Sequence, residues 1–203
     1  MGTMAEKLRI AVLGASGYTG ADLVRLALTH PGIEIAALAA NQKAGQEMAD
    51  IWPHFAAFPA LPPLQRASEV AFEGVDVVFG CLPHAASAEL LSTLPAGLRI
   101  VDLSADFRLQ DADSYREWYG VAHPAPALLP GAVYGLTEMA RDRLADARLV
   151  ACPGCYPTAA LLALLPAAAA GLIRPTNISI NALSGVSGAG RSLREANLFV
   201  EVA

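Results

Sequence analysis

Leu8-Arg-Ile-Ala-Val-Leu13-Gly14-Ala-Ser16-Gly17-Tyr18-Thr19-Gly20 is the stretch whose reading decides the fold. Leu8 to Leu13 is a short apolar run closed by a glycine, the pattern of a strand buried on both faces. From Tyr18 to His30, Leu23, Leu26, Ala27 and Leu28 repeat at helical spacing until Pro31-Gly32 stops them. Ile33 to Ala39 reads as a second strand. Strand, turn, helix and strand then fit within Leu8–Ala39, the size of one βαβ crossover of about 30 residues. The glycines fall where the first strand hands over to the helix. A pyrophosphate needs backbone N–H groups at a helix N-terminus and no side chains in the way. Gly14, Ser16, Gly17, Tyr18, Thr19 and Gly20 are therefore candidate cofactor-binding residues. The spacing is GxxGxxG rather than GxGxxG, so the strand–turn–helix context carries the reading. A turn whose glycines serve geometry alone is the alternative.

The end of the second strand bears on which cofactor would be held. Sites for NAD usually place an Asp or Glu there for the ribose hydroxyls. This chain has Ala39-Ala40-Asn41-Gln42-Lys43. No carboxylate is present to repel a 2′-phosphate, and Lys43 could pair with one. NADP is favoured, with Asn41 and Lys43 as candidate contacts, against the reading of Lys43 as an ordinary surface lysine.

Outward from this unit, strand-like and helical patterns keep alternating. Val75–Phe79, Arg99–Leu103 and Arg148–Ala151 read as strands; Ala85–Leu94, Glu138–Ala145 and Tyr156–Leu165 read as helices, the last ending near Pro166. Trp52–Leu64 and Pro124–Pro130 read as loops. Such alternation implies an α/β fold, a Rossmann-type parallel sheet with helices on both faces. Asn177–Leu183 instead alternates with period two, so the architecture is expected to change near Arg174-Pro175, with the start of a second α+β domain. The expected domains are 1–155 and 156–203.

Four further segments could carry chemistry. Cys152-Pro-Gly-Cys155 lies between a strand and a helix, and Cys155 at a helix N-terminus would be favoured as thiolate, a competent nucleophile. A dithiol redox pair, half of a metal site, or two buried apolar cysteines are the competing readings; the metal reading lacks neighbouring ligands. Cys81-Leu-Pro83-His84 ends the Val75–Phe79 strand, where Pro83 and His84 could touch a cofactor; a structural histidine is the alternative. The other histidines show no partner pattern. In Asp102-Leu-Ser-Ala-Asp106-Phe-Arg108, Arg108 is placed to bind an anionic substrate, against a simple Asp106–Arg108 pairing. Ser184-Gly-Val-Ser187-Gly188-Ala-Gly-Arg191 could form an anion-binding turn around Ser187, Gly188 and Arg191, or only a flexible loop.

Taken in order, GASGYTG, CLPHAASAEL, DLSADFRL, PGCYPT and SGVSGAGR resemble the N-acetyl-gamma-glutamyl-phosphate reductases, relatives of the aspartate-semialdehyde dehydrogenases. The resemblance runs from about Leu8 to Val202. It implies an NADP-binding Rossmann domain, a second domain on a mixed sheet, a homo-oligomer, and Cys155 as nucleophile. It also implies an acyl-phosphate substrate, expelled phosphate, a thioester and its NADPH-dependent reduction to a semialdehyde. Arg108 and Arg191 would then compensate substrate charge.

Two departures stand out: Cys152 replaces the family's Asn, and the family's acid/base histidine belongs to a segment beyond the SGAGR loop. The chain as given, to Ala203, holds no matching histidine, so little reductase activity is expected of it alone. An N-acetyl-aminoadipyl-phosphate reductase would look nearly identical, since one methylene discriminates by only about 1–3 kcal/mol. A non-catalytic NADP-binding segment and a dithiol oxidoreductase are the readings from other classes.

Composition narrows the field. In 203 residues, 14 Lys and Arg face 19 Asp and Glu, a net charge of −5 with no basic run, which argues against a nucleic-acid surface. At 54% hydrophobic and 16% charged, the chain is too apolar for disorder. Ala159–Ile173, its longest apolar stretch, is broken by Pro166 and Gly171 and falls short of the roughly 20 residues of a membrane span. Met1–Glu6 has no signal-like pattern, and 3 cysteines, an odd and sparse set, argue against a disulfide framework. The expected setting is the cytoplasm.

Overall fold

Along β1 (Leu8–Leu13), Ile10 and Val12 join one buried cluster while Ala11 and Leu13 join another. Successive side chains of a strand point to opposite faces, so this strand is apolar on both sides and needs cover on both. Helix α1 (Tyr18–Leu28) supplies Ala21, Val24 and Ala27 to the Ile10/Val12 face. Each fully buried Val or Ile contributes about 1.5–3 kcal/mol. The second strand β2 (Ile33–Ala39) runs parallel to β1 and pairs with it from Leu8↔Ile33 to Leu13↔Ala39. The short helix α2 (Met48–Ile51) adds Met48 to the same face as α1.

The computed structural model describes residues 6–59, 61–191 and 195. It separates into two compact units, Met1–Cys152 and Pro153–Ala203. In the first, strands β3 (Leu64–Gln65), β4 (Val77–Gly80) and β5 (Arg99–Asp102) follow, then β6 (Ala132–Tyr134) and β7 (Leu149–Ala151). All seven are parallel, in the order β3-β2-β1-β4-β5-β7-β6. Helix α3 (Ala86–Leu91) covers the Ala11/Leu13 face through Ala88 and Leu91. Helices α4 (Ala112–Tyr119) and α5 (Thr137–Leu144) complete the unit. The parallel α/β architecture read from the sequence is the one observed.

Several local expectations need correction. Trp52–Leu64 is not simply loop: Pro53–Ala57 winds into a 3-10 turn, and Leu64 begins β3. The Pro124–Pro130 segment likewise becomes a 3-10 turn over Pro126–Gly131 that leads into β6. Two- and three-residue strands are too short to show a period. Helix α4 shows no apolar period in the sequence because its outer residues are polar, although its ends are marked. Asp111 accepts the Ser114 N–H at 2.7 Å as N-cap, and Gly120 closes the helix at φ 74°.

In the second unit, helix α6 (Cys155–Ala169) continues past Pro166, where an end was expected. Proline forfeits one helical hydrogen bond, but Ala167 to Ala170 are the strongest helix formers and carry the helix onward. Gly171, at φ 68°, then stops it: Gly171 N–H bonds to the Ala168 carbonyl and Leu172 N–H to the Ala167 carbonyl, both satisfying terminal acceptors. The strand expected over Asn177–Leu183 does not form. A strand requires a ladder partner, and among the described residues none pairs with this segment, whose Ile180 is 60% exposed.

Candidate functional site

The chain lays β1, β2 and β3 outward in one direction, then returns to the other side of β1 with β4. Open parallel sheets bind ligands outside the carboxyl ends of their strands at such a reversal. The segments that leave those ends are Gly14–Gly20 after β1, Asn41–Lys43 after β2, Cys81–Ala85 after β4, Leu103–Arg108 after β5 and Cys152 after β7. The topology thus brings together the first-unit candidates named from the sequence.

The three glycines of the first turn do different things. Gly14 has φ 86°, and a Cβ there would lie 2.2 Å from the Cys81 carbonyl oxygen. Gly20 sits inside α1, where a Cβ would lie 2.4 Å from the Gly14 oxygen. Both are required for the turn to pack. Gly17 is not: its φ is −76°, and a Cβ would make only ordinary contact, 3.5 Å from the Gly14 oxygen. The fold leaves the space above Gly17 open, at a helix N-terminus that Gly17 does not cap with a side chain. The first N–H groups of a helix have no internal partners, so this turn fits a phosphate. Trp52 braces it, donating its indole N–H to the Ser16 carbonyl at 3.3 Å, with its ring 5.6 Å from that of Tyr18.

After β2, the Asn41 side-chain oxygen accepts the Ala67 N–H at 2.9 Å. Lys43 is half-buried, and none of the ion pairs among the described residues includes it. Pro83 and His84 are exposed, and the His84 ring lies 6.0 Å from that of Tyr119.

The segment after β5 differs from its sequence reading. Asp106 does not pair with Arg108. Arg108 donates from Nε to the Cys152 carbonyl at 2.8 Å and from Nη2 to the Leu103 carbonyl at 3.2 Å. Asp106 is fully buried, and its carboxylate accepts the Ala85 N–H at 2.7 Å, the Ala88 N–H at 2.8 Å and the Tyr115 hydroxyl at 2.9 Å. His123, which showed no partner pattern in the sequence, is buried with both ring nitrogens engaged. Its Nδ1 accepts the Ala125 N–H, so its Nε2 donates to the Asp106 carbonyl at 2.9 Å. Asp102, also fully buried, accepts from the Ser87 and Ser104 hydroxyls at 2.7 and 2.5 Å. Burial holds its carboxyl above the usual range despite those bonds. Two acids on either side of one serine, at the end of a strand, were the available signal.

The cysteines separate clearly. Burial, with Asp102 nearby, pushes the Cys81 thiol up to about 12. Burial and Asp102 push Cys152 to about 11, with Arg108 opposing them. Both are thereby kept as thiols at neutral pH, and all three cysteines are free. In the second unit, Cys155 is exposed as the first residue of α6, behind an extended Gly154 with no side-chain cap. There, too, Val186–Ala189 forms a 3-10 turn that contains Ser187 and Gly188, with exposed Arg191 following. No group of three potential metal ligands occurs among the described residues. Nor is any described helix long and apolar enough to cross a membrane.

Comparison with known proteins adds independent findings. Residues 9–147 match the family described as "Semialdehyde dehydrogenase, NAD binding domain", and residues 155–203 match "Semialdehyde dehydrogenase, dimerisation domain". A protein of Oryza sativa named "Probable N-acetyl-gamma-glutamyl-phosphate reductase, chloroplastic" is 53% identical over 98% of this chain and 48% of its own length. An N-acetyl-gamma-glutamyl-phosphate reductase of Rhodospirillum rubrum is 52% identical over 98% of this chain and 58% of its own length. The chain thus spans about half the length of the curated relatives it matches. Among solved structures, aspartate semialdehyde dehydrogenase II of Vibrio cholerae aligns with TM-score 0.57 at 16% identity, over 81% of this chain and 47% of that one. The Candida albicans aspartate semialdehyde dehydrogenase with NADP aligns at 0.52 and 20% identity, over 82% and 48%. At such identities the structural likeness speaks for the fold alone.

Proposed function

We propose, from the premise that the chain belongs to the semialdehyde dehydrogenase family, that it is an NADP-dependent acyl-phosphate reductase. Its substrate on this reading is N-acetyl-gamma-glutamyl phosphate, reduced to N-acetyl-glutamate semialdehyde in arginine biosynthesis. The observation that carries the reading is the free, exposed Cys155 at the start of α6, in a chain 53% identical to a protein named for that reaction.

The chemistry follows from the residue types. The Cys155 sulfur, as thiolate, adds to the acyl carbonyl; the bond from that carbon to the phosphate oxygen breaks, and phosphate leaves with the electron pair. The resulting thioester is closed to further loss of phosphate and open to reduction. NADPH, when bound, supplies the hydride that converts this thioester to the aldehyde and returns the cysteine as thiolate. Gly17 leaves room for the pyrophosphate at the start of α1. Lys43, with no carboxylate following Ala39, favours a 2′-phosphate. The proposed cofactor contacts are Gly14, Ser16, Gly17, Tyr18, Thr19, Gly20, Asn41, Lys43, Pro83, His84, Ser187 and Gly188; Arg108 and Arg191 are proposed for substrate charge. Arg108 already serves two carbonyls, so only its remaining N–H groups are available for an anion. A homo-oligomer is proposed on the dimerisation-domain match, and a reducing compartment such as the cytoplasm on the free cysteines.

The test combines mass spectrometry with turnover. The purified protein given the acyl phosphate without NADPH should gain one N-acetylglutamyl group on Cys155, and with NADPH should release semialdehyde slowly, in keeping with the little reductase activity expected of this chain alone. A Cys155→Ser variant should do neither. An unmodified protein that gains no adduct on Cys155 would sink the reading.

A further inference from the structure

We infer that Asp106 is the positioning residue for one wall of the nucleotide crevice, fixing the turn Pro83-His84-Ala85 in the backbone conformation that the cofactor meets. The inference rests on the cofactor reading above. Ala85 has φ 66° and ψ −51°. This is a region that residues with a Cβ rarely enter, because the Cβ crowds the backbone. Among the described residues six glycines take positive φ, yet position 85 is alanine. Something must therefore hold the strained turn, and the contacts name it. The Asp106 carboxylate accepts the Ala85 N–H at 2.7 Å and, from its other oxygen, the Ala88 N–H at 2.8 Å. It grips both sides of the point where the turn becomes α3.

Asp106 is itself fixed from three further directions. The Tyr115 hydroxyl donates to its carboxylate, its own N–H donates to the Ser104 hydroxyl at 3.1 Å, and His123 donates to its carbonyl. Three donors, the Ala85 and Ala88 N–H groups and the Tyr115 hydroxyl, share the two carboxylate oxygens, so both oxygens serve as acceptors. The turn it holds contributes little to the core, since Pro83 and His84 are exposed. The residues that lead into the turn border the phosphate loop: a Cβ on Gly14 would meet the Cys81 oxygen and, at 3.3 Å, the Leu82 side chain. Strain held by a buried carboxylate at an exposed turn beside a phosphate loop belongs to binding rather than to folding.

The experiment titrates NADPH into the full chain and into Asp106→Asn, Ala85→Gly and the double variant, with thermal unfolding alongside. Asn turns one acceptor into a donor that faces another donor. Asp106→Asn should bind NADPH about 10-fold or more weakly while remaining folded. Ala85→Gly in that background should recover most of the loss, because glycine adopts φ 66° without being held. A merely stabilising Asp106 would lower the melting temperature of Asp106→Asn and leave the NADPH affinity of the folded variant unchanged. NADPH affinity unchanged in Asp106→Asn, or unrecovered in the folded double variant, overturns the assignment. Should Asp106→Asn not fold, amide hydrogen exchange on the unmodified chain decides: protection at Ala85 and Ala88 supports the hold, and free exchange at both overturns it. An unmodified chain that binds no NADPH overturns the cofactor reading instead.

Discussion

The Arg108 Nε–H donates to the carbonyl oxygen of Cys152 across 2.8 Å, although the two residues are far apart in sequence. With its Nη2 bond to the Leu103 carbonyl, the guanidinium ties the carboxyl end of β5 to that of β7. Lysine keeps the charge but cannot present two fixed donors to two carbonyls. Arg108→Lys is expected to lower stability by about 1–3 kcal/mol. Urea unfolding measures it, and an unchanged midpoint would show that the clamp contributes nothing.

Gly14 and Gly17 should behave oppositely. Gly14→Ala places a Cβ 2.2 Å from a carbonyl oxygen at φ 86°, and should cost at least about 1–3 kcal/mol of stability. Gly17→Ala meets only a 3.5 Å contact at an ordinary φ. Its melting temperature should stay near that of the unmodified chain while NADPH affinity falls about 10-fold or more, because the methyl enters the phosphate space. Thermal unfolding paired with NADPH titration separates the two; a Gly17→Ala variant that binds normally would place the phosphate elsewhere.

The cysteines predict an order of reactivity. With Cys81 pushed to about 12 and Cys152 to about 11, neither offers much thiolate at neutral pH. Iodoacetamide should label exposed Cys155 first, and all three only after unfolding, as peptide mass spectrometry would record. Both folded values lie above the ordinary thiol value of 9.0. The stabilisation is therefore complete below that pH and is lost as pH rises through the folded values. Stability should decline above about pH 9, by up to about 1.4 kcal/mol per pH unit for each thiol. Cys81→Ala should flatten that decline.

Asp102 gives a second pH signature, of defined sign. Its folded carboxyl is held above the ordinary value, chiefly by burial. Its contribution is present below the unfolded pKa and lost as pH rises through the folded one. Asp102→Asn removes this titration. Between about pH 4 and pH 7, urea midpoints should therefore shift in favour of Asn as pH rises; a shift in favour of Asp would contradict the burial argument.

The sequence displayed the parallel sheet well, because β1, β2, β4 and β5 are apolar on both faces and cannot be satisfied otherwise. It displayed β3 and β6 poorly, since two or three residues carry no period. Asn177–Leu183 shows why alternation alone is insufficient: pattern makes a segment able to pair, and only a neighbour makes it a strand. At the candidate site, the glycine turn was legible from its position between a strand and a helix. Asp106 was not. Its value lies in the Ala85 and Ala88 amides, which are distant in sequence and carry no identity in the letters. Arg108 was selected for its charge, yet its observed bonds go to backbone carbonyls, which no residue pattern reveals.

The brace between Trp52 and the Ser16 carbonyl makes the protein its own optical probe. Only 2 tryptophans are present, and they occupy opposite optical environments. Trp118 is 76% exposed, so acrylamide should quench it readily and its emission should be red-shifted. Trp52 is half-buried, hydrogen-bonded to the phosphate turn and in ring contact with Tyr18. With Trp118 replaced by Phe, the remaining emission would come from beside the glycine turn alone. Whatever enters or leaves that turn would then be visible without any attached dye.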